Sequence, residues 1–420
     1  MNIPGIDSII LHSASEVWPG EPAPAEHLVG LFDGIPAKLK LGRFDEVSAD
    51  LIEIARDNLH PSQTVRLLCL QADLLTESEE CGQAYELYYQ AMQIADEQRD
   101  IPTEVLLMLY CGLMLYGQTR QYEAIILYEE ALALWRAWVR LNPAPSDDTV
   151  VAIHGLIAET QWSSGQFDAA IGTVARALTA AKRQDDTPVA PALRDATASA
   201  LWTLGLALRS QSDMSDGDFS LLESALDRME EGLALYKKEG SYADNIGRLL
   251  IQMAEVRLDQ AELHLQHDRH GKARMAREHA ERDAKMARDF LQQTINQPGQ
   301  LLPELTLLRC EITRSPDPDA LLHMTEFESR LCDIEREAEE IHDGAILAKA
   351  AMLRGQWLLW LDDPEPARKA LLIALKDLQP NNMGLATRAQ RLLRRANEVR
   401  AERHVRRATG PRVSRPRRRS

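Results

Sequence analysis

The sequence predicts an all-α fold, a right-handed α-solenoid of about eight helix pairs followed by a C-terminal capping helix. Ala, Leu, Glu, Arg and Gln dominate its 420 residues, and runs of β-branched and aromatic residues with a period of two do not occur. Small residues also recur at fixed intervals, which lets pairs of helices approach closely. Prolines and glycines punctuate the chain between these segments.

The small residues are separated by 12 and then by 7 positions. In the segment 149–183 they are Ala158, Ala170 and Ala177, and Gly165 lies in the turn between the two helices. Both intervals recur in three other segments: Ala72–Ala84–Ala91, Gly112–Ala124–Ala131 and Gly355–Ala367–Ala374. The second interval alone occurs in Ala225–Gly232, which follows Gly205, and in Ala280–Ala287. A side chain between the last two small residues is expected to fill each seam: Tyr88, Tyr128, Val174, Met229, Ala284 and Leu371.

Small residues that face each other across two helices resemble the tetratricopeptide repeat (TPR), a two-helix unit of about 34 residues. The resemblance implies a solenoid in which each unit packs only on its neighbours. The units here are longer, because Ala84, Ala124, Ala170 and Ala225 are separated by 40, 46 and 55 residues. This long-helix type resembles the TPR-like arrays of bacterial regulators.

In chain order, residues 1–24 contain four prolines and are predicted to form an extended arm. The superhelix is predicted over 25–380. Its first unit is expected to have a short helix over 25–32 that ends at Asp33-Gly34, with Pro36 in the first turn of the next helix. Units two to five are predicted at about 62–98, 102–140, 148–183 and 190–238, with breaks at Pro61, Pro102 and Pro143–Pro145.

The remaining units are less regular. The sixth is expected to have long helices at about 244–267 and 273–294, the divergent seventh to cover about 303–342, and the eighth to have helices at 348–360 and 367–378. Ala284 is too small to fill its seam as the other seam residues do, so among the six segments with the spacing the sixth unit fits the repeat pattern least well. A capping helix is predicted over 381–407, covering the end of the stack, and a disordered tail over 408–420.

Charge divides the chain into an acidic body and a basic end. The chain carries a formal net charge of −16, whereas residues 388–420 contain 13 arginines and only two glutamates, so that the rest carries −27. The basic end suggests a tail that contacts nucleic acid; the alternatives are a tail that is simply solvated and one that folds back loosely onto the acidic body. The tail candidates for nucleic-acid contact are Arg412, Arg415, Arg417, Arg418 and Arg419.

No motif predicts catalysis or a cofactor. The sequence has no phosphate-binding glycine loop, nucleophile elbow or HExxH motif. His264, His267 and Asp268 could share a helix face, but a zinc site needs further ligands, so no metal site is predicted. The five cysteines lack metal-ligand spacing and are expected to be reduced thiols. The protein is predicted not to be an enzyme.

In TPR proteins the first helix of each unit lines a concave groove, and its groove-facing residues lie at fixed offsets from the small position. Transferring these offsets predicts a partner-binding stripe formed by Tyr116, Glu159, Trp162, Trp202 and Arg209. In the eighth unit the offsets fall on Lys349, Met352, Gln356, Leu359 and Trp360. The Lys and Asn of the family's carboxylate clamp are absent from the corresponding positions of units two to five, which disfavours a chaperone-tail adaptor. Trp162 and Trp202 could alternatively pack between repeats.

We therefore expect a non-catalytic scaffold or adaptor, acting in bacterial signalling or regulation, that holds a partner segment in its concave groove. An amphipathic or basic protein segment or peptide fits a channel with aromatic walls and acidic edges. One alternative is a regulator or nucleoprotein subunit whose tail contacts nucleic acid, and another is a peptide-responsive signalling receptor. The absence of a long apolar run and of a signal-like N-terminus predicts a cytoplasmic protein.

Overall fold

The computed structural model describes residues 18, 21, 25–78, 80–142, 148–182, 191–215, 217–239, 243–294, 297–313, 320–378 and 382–409. Within these ranges the chain forms helices and no strand. The first eight helices are α1 Glu26–Lys40, α2 Phe44–Ile54, α3 Pro61–Glu77, α4 Cys81–Glu97, α5 Ile101–Gly117, α6 Gln121–Leu141, α7 Asp148–Ser163 and α8 Phe167–Lys182. They are followed by α9 Pro191–Met214, α10 Phe219–Glu239, α11 Ala243–Gln266, α12 His270–Leu291, α13 Gln297–Ile312, α14 Ala320–Glu340, α15 Gly344–Trp360, α16 Pro364–Leu378 and α17 Met383–Thr409.

The helices pair as the small-residue spacing predicts, and the predicted seam residues lie where the two helices approach. A Cβ atom at Gly112 of α5 would overlap the ring of Tyr128 on α6. A Cβ at Gly205 would lie 2.6 Å from Met229 Cγ, and one at Gly355 would lie 2.5 Å from Leu371 Cγ. Gly165, in the turn between α7 and α8, has a φ of +83°. The all-α solenoid of eight helix pairs and a final helix is confirmed.

The two helices of the sixth pair, α11 and α12, pack through a different arrangement of side chains. The seam expected at Ala284 is closed by small side chains on both helices, because Ala254 of α11 lies in one buried cluster with Ala280 and Ala284 of α12. One end of the pair is filled by Leu291, whose Cγ would be 2.5 Å from a Cβ at Gly247. Small residues on both sides therefore replace one large seam residue.

Two helix boundaries predicted from proline were wrong. The helix expected to end at Asp33-Gly34 continues through Pro36 to Lys40, because Phe32 and Ile35 are both fully buried in the first core cluster. Burial of such side chains contributes about 1.5–3 kcal/mol each, which offsets the roughly 3 kcal/mol penalty of an interior proline. In the seventh unit, α13 begins at Gln297 and contains Pro303, with Leu301 and Leu305 buried on either side.

The odd-numbered helices from α9 to α17 form a closed ring. Neighbouring odd-numbered helices contact one another along the series α9, α11, α13, α15 and α17, and α17 returns to contact α9 and α7. This ring, defined by those five helices, surrounds an interior to which each helix contributes one face. No described helix is long and apolar enough to cross a membrane.

Candidate functional site

The interior of the ring contains two adjoining clefts. The first has about 550 Å³ of empty space and the second about 420 Å³, both including open solvent. Both are lined by the same five residues of α9, α11, α15 and α17: Arg209, Gln252, Lys349, Leu385 and Arg388. Aliphatic side chains complete the first cleft: Ile251, Leu302, Leu305, Met352 and Leu353.

Three arginines from three helices converge on α11. Arg209 of α9 donates from Nε to Asp259 Oδ2 at 2.7 Å, and Arg309 of α13 donates from Nη2 to Glu262 Oε1 at 2.7 Å. Arg388 of α17 pairs with Asp259 as well. All three arginines and Asp259 are almost fully buried.

Two carboxylates of this cluster, Glu255 and Asp259, are held in their ionised form by the arginines. Burial by itself would raise the pKa of Glu255, but Arg309, Arg209 and Arg388 lower it to about 2. Burial opposes ionisation of Asp259 in the same way, and the same arginines hold its pKa well below the ordinary value. Three arginines thus face three carboxylates, Glu255, Asp259 and Glu262, and the formal charges of this cluster cancel.

The C-terminal helix closes the ring through its first two turns. Gly384 lies so close to Trp162 of α7 that a Cβ at this position would be 2.6 Å from the indole ring. Arg391 donates from Nη1 to Asp213 Oδ1 of α9 at 2.9 Å. The start of α17, a basic segment of the same chain, thus occupies part of the groove in which the sequence analysis placed a partner.

The five residues of the predicted stripe lie on α5, α7 and α9, but in different surroundings. Trp162 is only 9% exposed, donates from Nε1 to Ser210 Oγ at 3.0 Å and packs on α17. Arg209 is buried in the charge cluster. Tyr116, Glu159 and Trp202 are half-buried. Trp202 packs on the core of α9–α12, and its buried Nε1 has no acceptor among the residues that the structure describes.

Two charged side chains on inner helices stand apart from the cluster. Burial raises the pKa of Glu159, although Arg248 opposes this, and within the described ranges no hydrogen bond or ion pair reaches its carboxylate. Lys349 of α15 lines both clefts, and likewise none of the described side chains bonds or pairs with its Nζ. Neither charged group is among the described buried atoms that lack a hydrogen-bond partner, so solvent, and therefore a ligand, can reach both.

Sequence reasoning identified some of these residues and missed others. Lys349, Met352 and Gln356 were placed in the groove by the TPR offsets, and all three line the first cleft. Glu255, Asp259, Arg309 and Arg388 were missed because the sixth and seventh units and the last helix lack the complete repeat spacing. The signal that could have identified them is the presence of charged residues, Glu255, Asp259 and Arg309, among the buried apolar residues of α11 and α13.

The remaining candidates give no site in the structure. Arg412, Arg415, Arg417, Arg418 and Arg419 lie outside the described residues, as does the turn at 143–147. His264 is buried and its ring lies 4.7 Å from that of Phe219. Among the described residues, no group of three or more potential ligands could hold a metal ion.

Comparison with solved structures identifies the architecture. The apo form of the quorum sensor NprR from B. thuringiensis is similar with a TM-score of 0.55 and 13% identity, covering 84% of this chain and 87% of that chain. The fold is a TPR-like helical solenoid. At this identity the likeness establishes the fold and not the activity.

Two other solved structures match over most of this TPR-like chain. They are apo RapI, with a TM-score of 0.49, 10% identity and coverage of 90% of this chain and 99% of that one, and a Rap protein complexed with competence and sporulation factor, with a TM-score of 0.48, 11% identity and the same coverage. No family model matches the sequence, and no curated protein matches it.

Proposed function

We propose that this protein is a non-catalytic, peptide-responsive regulator that binds a short peptide or partner segment in the channel lined by its odd-numbered helices. The observation that carries the proposal is a pair of charged groups on inner helices, Glu159 on α7 and Lys349 on α15, that make no hydrogen bond or ion pair with the described residues. A half-buried charge is partly removed from water, and a ligand of opposite charge can compensate it directly.

The space available favours a chain in an extended conformation. A helix with its side chains is about 10–12 Å across. The first cleft, with about 550 Å³ of empty space that includes open solvent, is comparable in volume to about one turn of such a helix. With α17 in place, a peptide end fits the ring better than the amphipathic helix expected from the sequence.

The fold supports this role, because the NprR structure to which it is similar is described as that of a quorum sensor. A helical solenoid presents an extended concave surface along which a peptide can contact several units. A peptide that bridges α7 and α15 would change the equilibrium between conformations that hold these helices at different distances.

The proposal is tested by a search for bound peptide. The purified protein is incubated with the low-molecular-mass peptide fraction of the source organism's culture, and retained peptides are identified by native mass spectrometry. The retained peptide is then synthesised and its Kd is measured by calorimetry. We expect Trp202→Ala and Glu159→Gln to weaken binding at least tenfold, because aromatic and buried charged contacts dominate binding energy.

The matched control is Glu129→Gln on the exposed face of α6, which should leave the Kd unchanged. Melting temperatures of the same variants separate binding from stability. A large loss of stability in Trp202→Ala, on the order of 3–5 kcal/mol, would show that Trp202 is a core residue. Retention of no peptide, or equal binding by all variants, would contradict the proposal.

A further inference from the structure

Among the described charged side chains that line the two clefts, taken with their ion-pair partners, one positive charge is in excess. Arg209, Arg309 and Arg388 are balanced by the three carboxylates of α11, and these six groups neutralise one another. Arg391 pairs with Asp213, and Arg248 pairs with Asp244 at 2.8 Å. Lys349, which is half-buried and lines both clefts, is left over.

No carboxylate of the described residues is paired directly with the positively charged ammonium group of Lys349. Burial lowers the pKa of its ammonium group, and Arg248 and Arg209 act in the same direction, whereas Glu255 and Asp343 oppose them. Glu255 is already engaged with Arg209 and Arg309. In the described part of the chain, no acceptor lies within hydrogen-bonding distance of Nζ. The ammonium group is therefore available to pair with an added anion.

We propose that Lys349 binds a carboxylate of the peptide ligand, with an aliphatic side chain of the same peptide in the first cleft. The inference rests on the proposed function and names the ligand chemistry. A carboxylate carries one negative charge and matches the one excess positive charge. A phosphate, with a charge of about −1.5 to −2 at neutral pH, would overcompensate it.

The lining of the cleft supports a peptide end at this position. Aliphatic side chains from three helices, Ile251 on α11, Leu305 on α13 and Met352 on α15, stand beside the charged groups. Pockets that bind small ligands commonly combine apolar walls with a few placed polar groups. A carboxylate next to an aliphatic side chain is the chemistry of a chain that ends in Leu, Ile or Val.

Two glutamines can satisfy the peptide backbone. Gln356 donates from Nε2 to Glu262 Oε1 at 2.6 Å, so that its own carbonyl oxygen remains as an acceptor for a peptide N–H. Gln252, which lines both clefts, accepts from Arg209 at 3.4 Å and can donate from its Nε2 to a peptide carbonyl. Gln356 thus supplies an acceptor and Gln252 a donor for the backbone of a peptide end.

The test uses small probes and saturation-transfer NMR. N-acetyl-alanyl-leucine carries a terminal carboxylate, its C-terminal amide carries none, and N-acetyl-aspartyl-leucinamide carries only a side-chain carboxylate. We expect the first to bind the wild type with a Kd of about 1 mM and the amide to bind at least tenfold more weakly. Binding of the aspartyl probe instead would assign the carboxylate to a side chain.

Lys349→Met is the diagnostic variant, and Lys376→Met on the exposed face of α16 is its matched control. Lys349→Met should abolish the preference for the acid over the amide, and Lys376→Met should keep it. Lys349→Met should also melt a few degrees above the wild type, because it removes an uncompensated half-buried charge. Lys349→Gln serves as a second variant if the methionine protein does not fold.

Equal binding of acid and amide by the wild type would overturn the proposal, as would displacement of the acid by inorganic phosphate at comparable concentration. A retained natural peptide that binds wild type and Lys349→Met equally would overturn this carboxylate site only. The peptide-binding function would then still stand on the effects of Trp202→Ala and Glu159→Gln.

Discussion

At the scale of single residues, the spacing of small side chains controls how closely the paired helices approach. Gly112 leaves just enough room for the fully buried ring of Tyr128, and Gly355 does the same for Leu371. Close packing leaves no space for an added methyl group at such a point. A methyl group added to a glycine on an outer helix face, such as Gly172, has no atom within 4 Å.

Gly112→Ala and Gly172→Ala test this directly. Gly112→Ala should lower the free energy of unfolding by about 1–3 kcal/mol, because its Cβ would overlap the Tyr128 ring. Gly172 lies on the exposed face of α8 with no atom within 4 Å of an added Cβ, so Gly172→Ala should stabilise the helix by about 0.5–1 kcal/mol. Urea unfolding measures both, and a loss of stability in both variants would contradict the assignment of Gly112 to a seam.

His154 provides a residue-scale prediction on pH. Burial, together with Arg136 and Arg176, lowers its pKa to about 4, and Arg136 Nη2 lies 3.2 Å from its Nε2. Between pH 6.5 and 4 the unfolded chain takes up a proton that the folded protein does not, so this contribution to stability is lost as the pH falls through that window.

We expect the wild type to lose up to about 3 kcal/mol from this source between pH 7 and pH 4. His154→Gln should lack that part of the pH dependence, since glutamine does not titrate. Urea unfolding at pH 7.0, 5.5 and 4.5 compares the two proteins, whose other titrating groups are the same. If the stability of the two proteins fell in parallel as the pH is lowered, His154 would take up its proton as readily in the folded protein as in the unfolded chain.

At the scale of helices, α17 has a second role besides covering the last pair. One face of the helix packs on α16, whereas Gly384, Leu385 and Arg388 enter the ring and contact α7, α9 and α11. The helix is therefore a wall of the candidate site. Its position depends on the absence of a side chain at Gly384, because the indole of Trp162 occupies that space.

Gly384→Ala should loosen α17 from the ring. The added Cβ would lie 2.6 Å from Trp162 Cε2, and the buried indole has little room to move. Amide hydrogen exchange in residues 385–396 should then accelerate at least tenfold, as local unfolding becomes easier. Gly344→Ala on α15, where an added Cβ meets no atom within 4 Å, is the control and should leave exchange unchanged. Equal protection in both variants would show that α17 is not held through Trp162.

At the scale of the whole molecule, the uneven charge distribution has two consequences. The body, residues 1–387, carries a net charge of −27 and repels nucleic acid, whereas residues 388–420 carry +11. Part of the basic charge is used inside the ring, since Arg388 and Arg391 pair with Asp259 and Asp213. The arginines from Arg412 onward, which lie outside the described residues, are the tail candidates for contact with an external anion.

Contact between the tail and nucleic acid remains a prediction. If it occurs, binding of a labelled DNA duplex should be independent of sequence, and log K should fall with log salt with a slope no steeper than about −4.5 for five arginines. Deletion of residues 410–420 should abolish binding and leave the melting temperature unchanged. Fluorescence anisotropy at low salt measures this, and binding that survives the deletion would exclude the tail as the contact.

The sequence by itself determined the helix pairs, because the 12-and-7 spacing reports contacts between neighbouring segments. Tyr128, Met229 and Leu371 were assigned to their seams from that spacing alone. Local patterns misplaced two helix boundaries, where burial of Phe32, Ile35 or Leu301 outweighed the helix-breaking tendency of a nearby proline.

The tertiary structure alone decided how the ring closes. The contact of α17 with α7 and α9 joins residues more than 170 positions apart, and it depends on the small rotations accumulated over all the intervening units. TPR offsets placed both Arg209 and Lys349 in the channel. Only the closed ring neutralises Arg209 with the carboxylates of α11 and leaves Lys349 without a partner, because the pairing of a buried charge is set by helices that are distant in sequence.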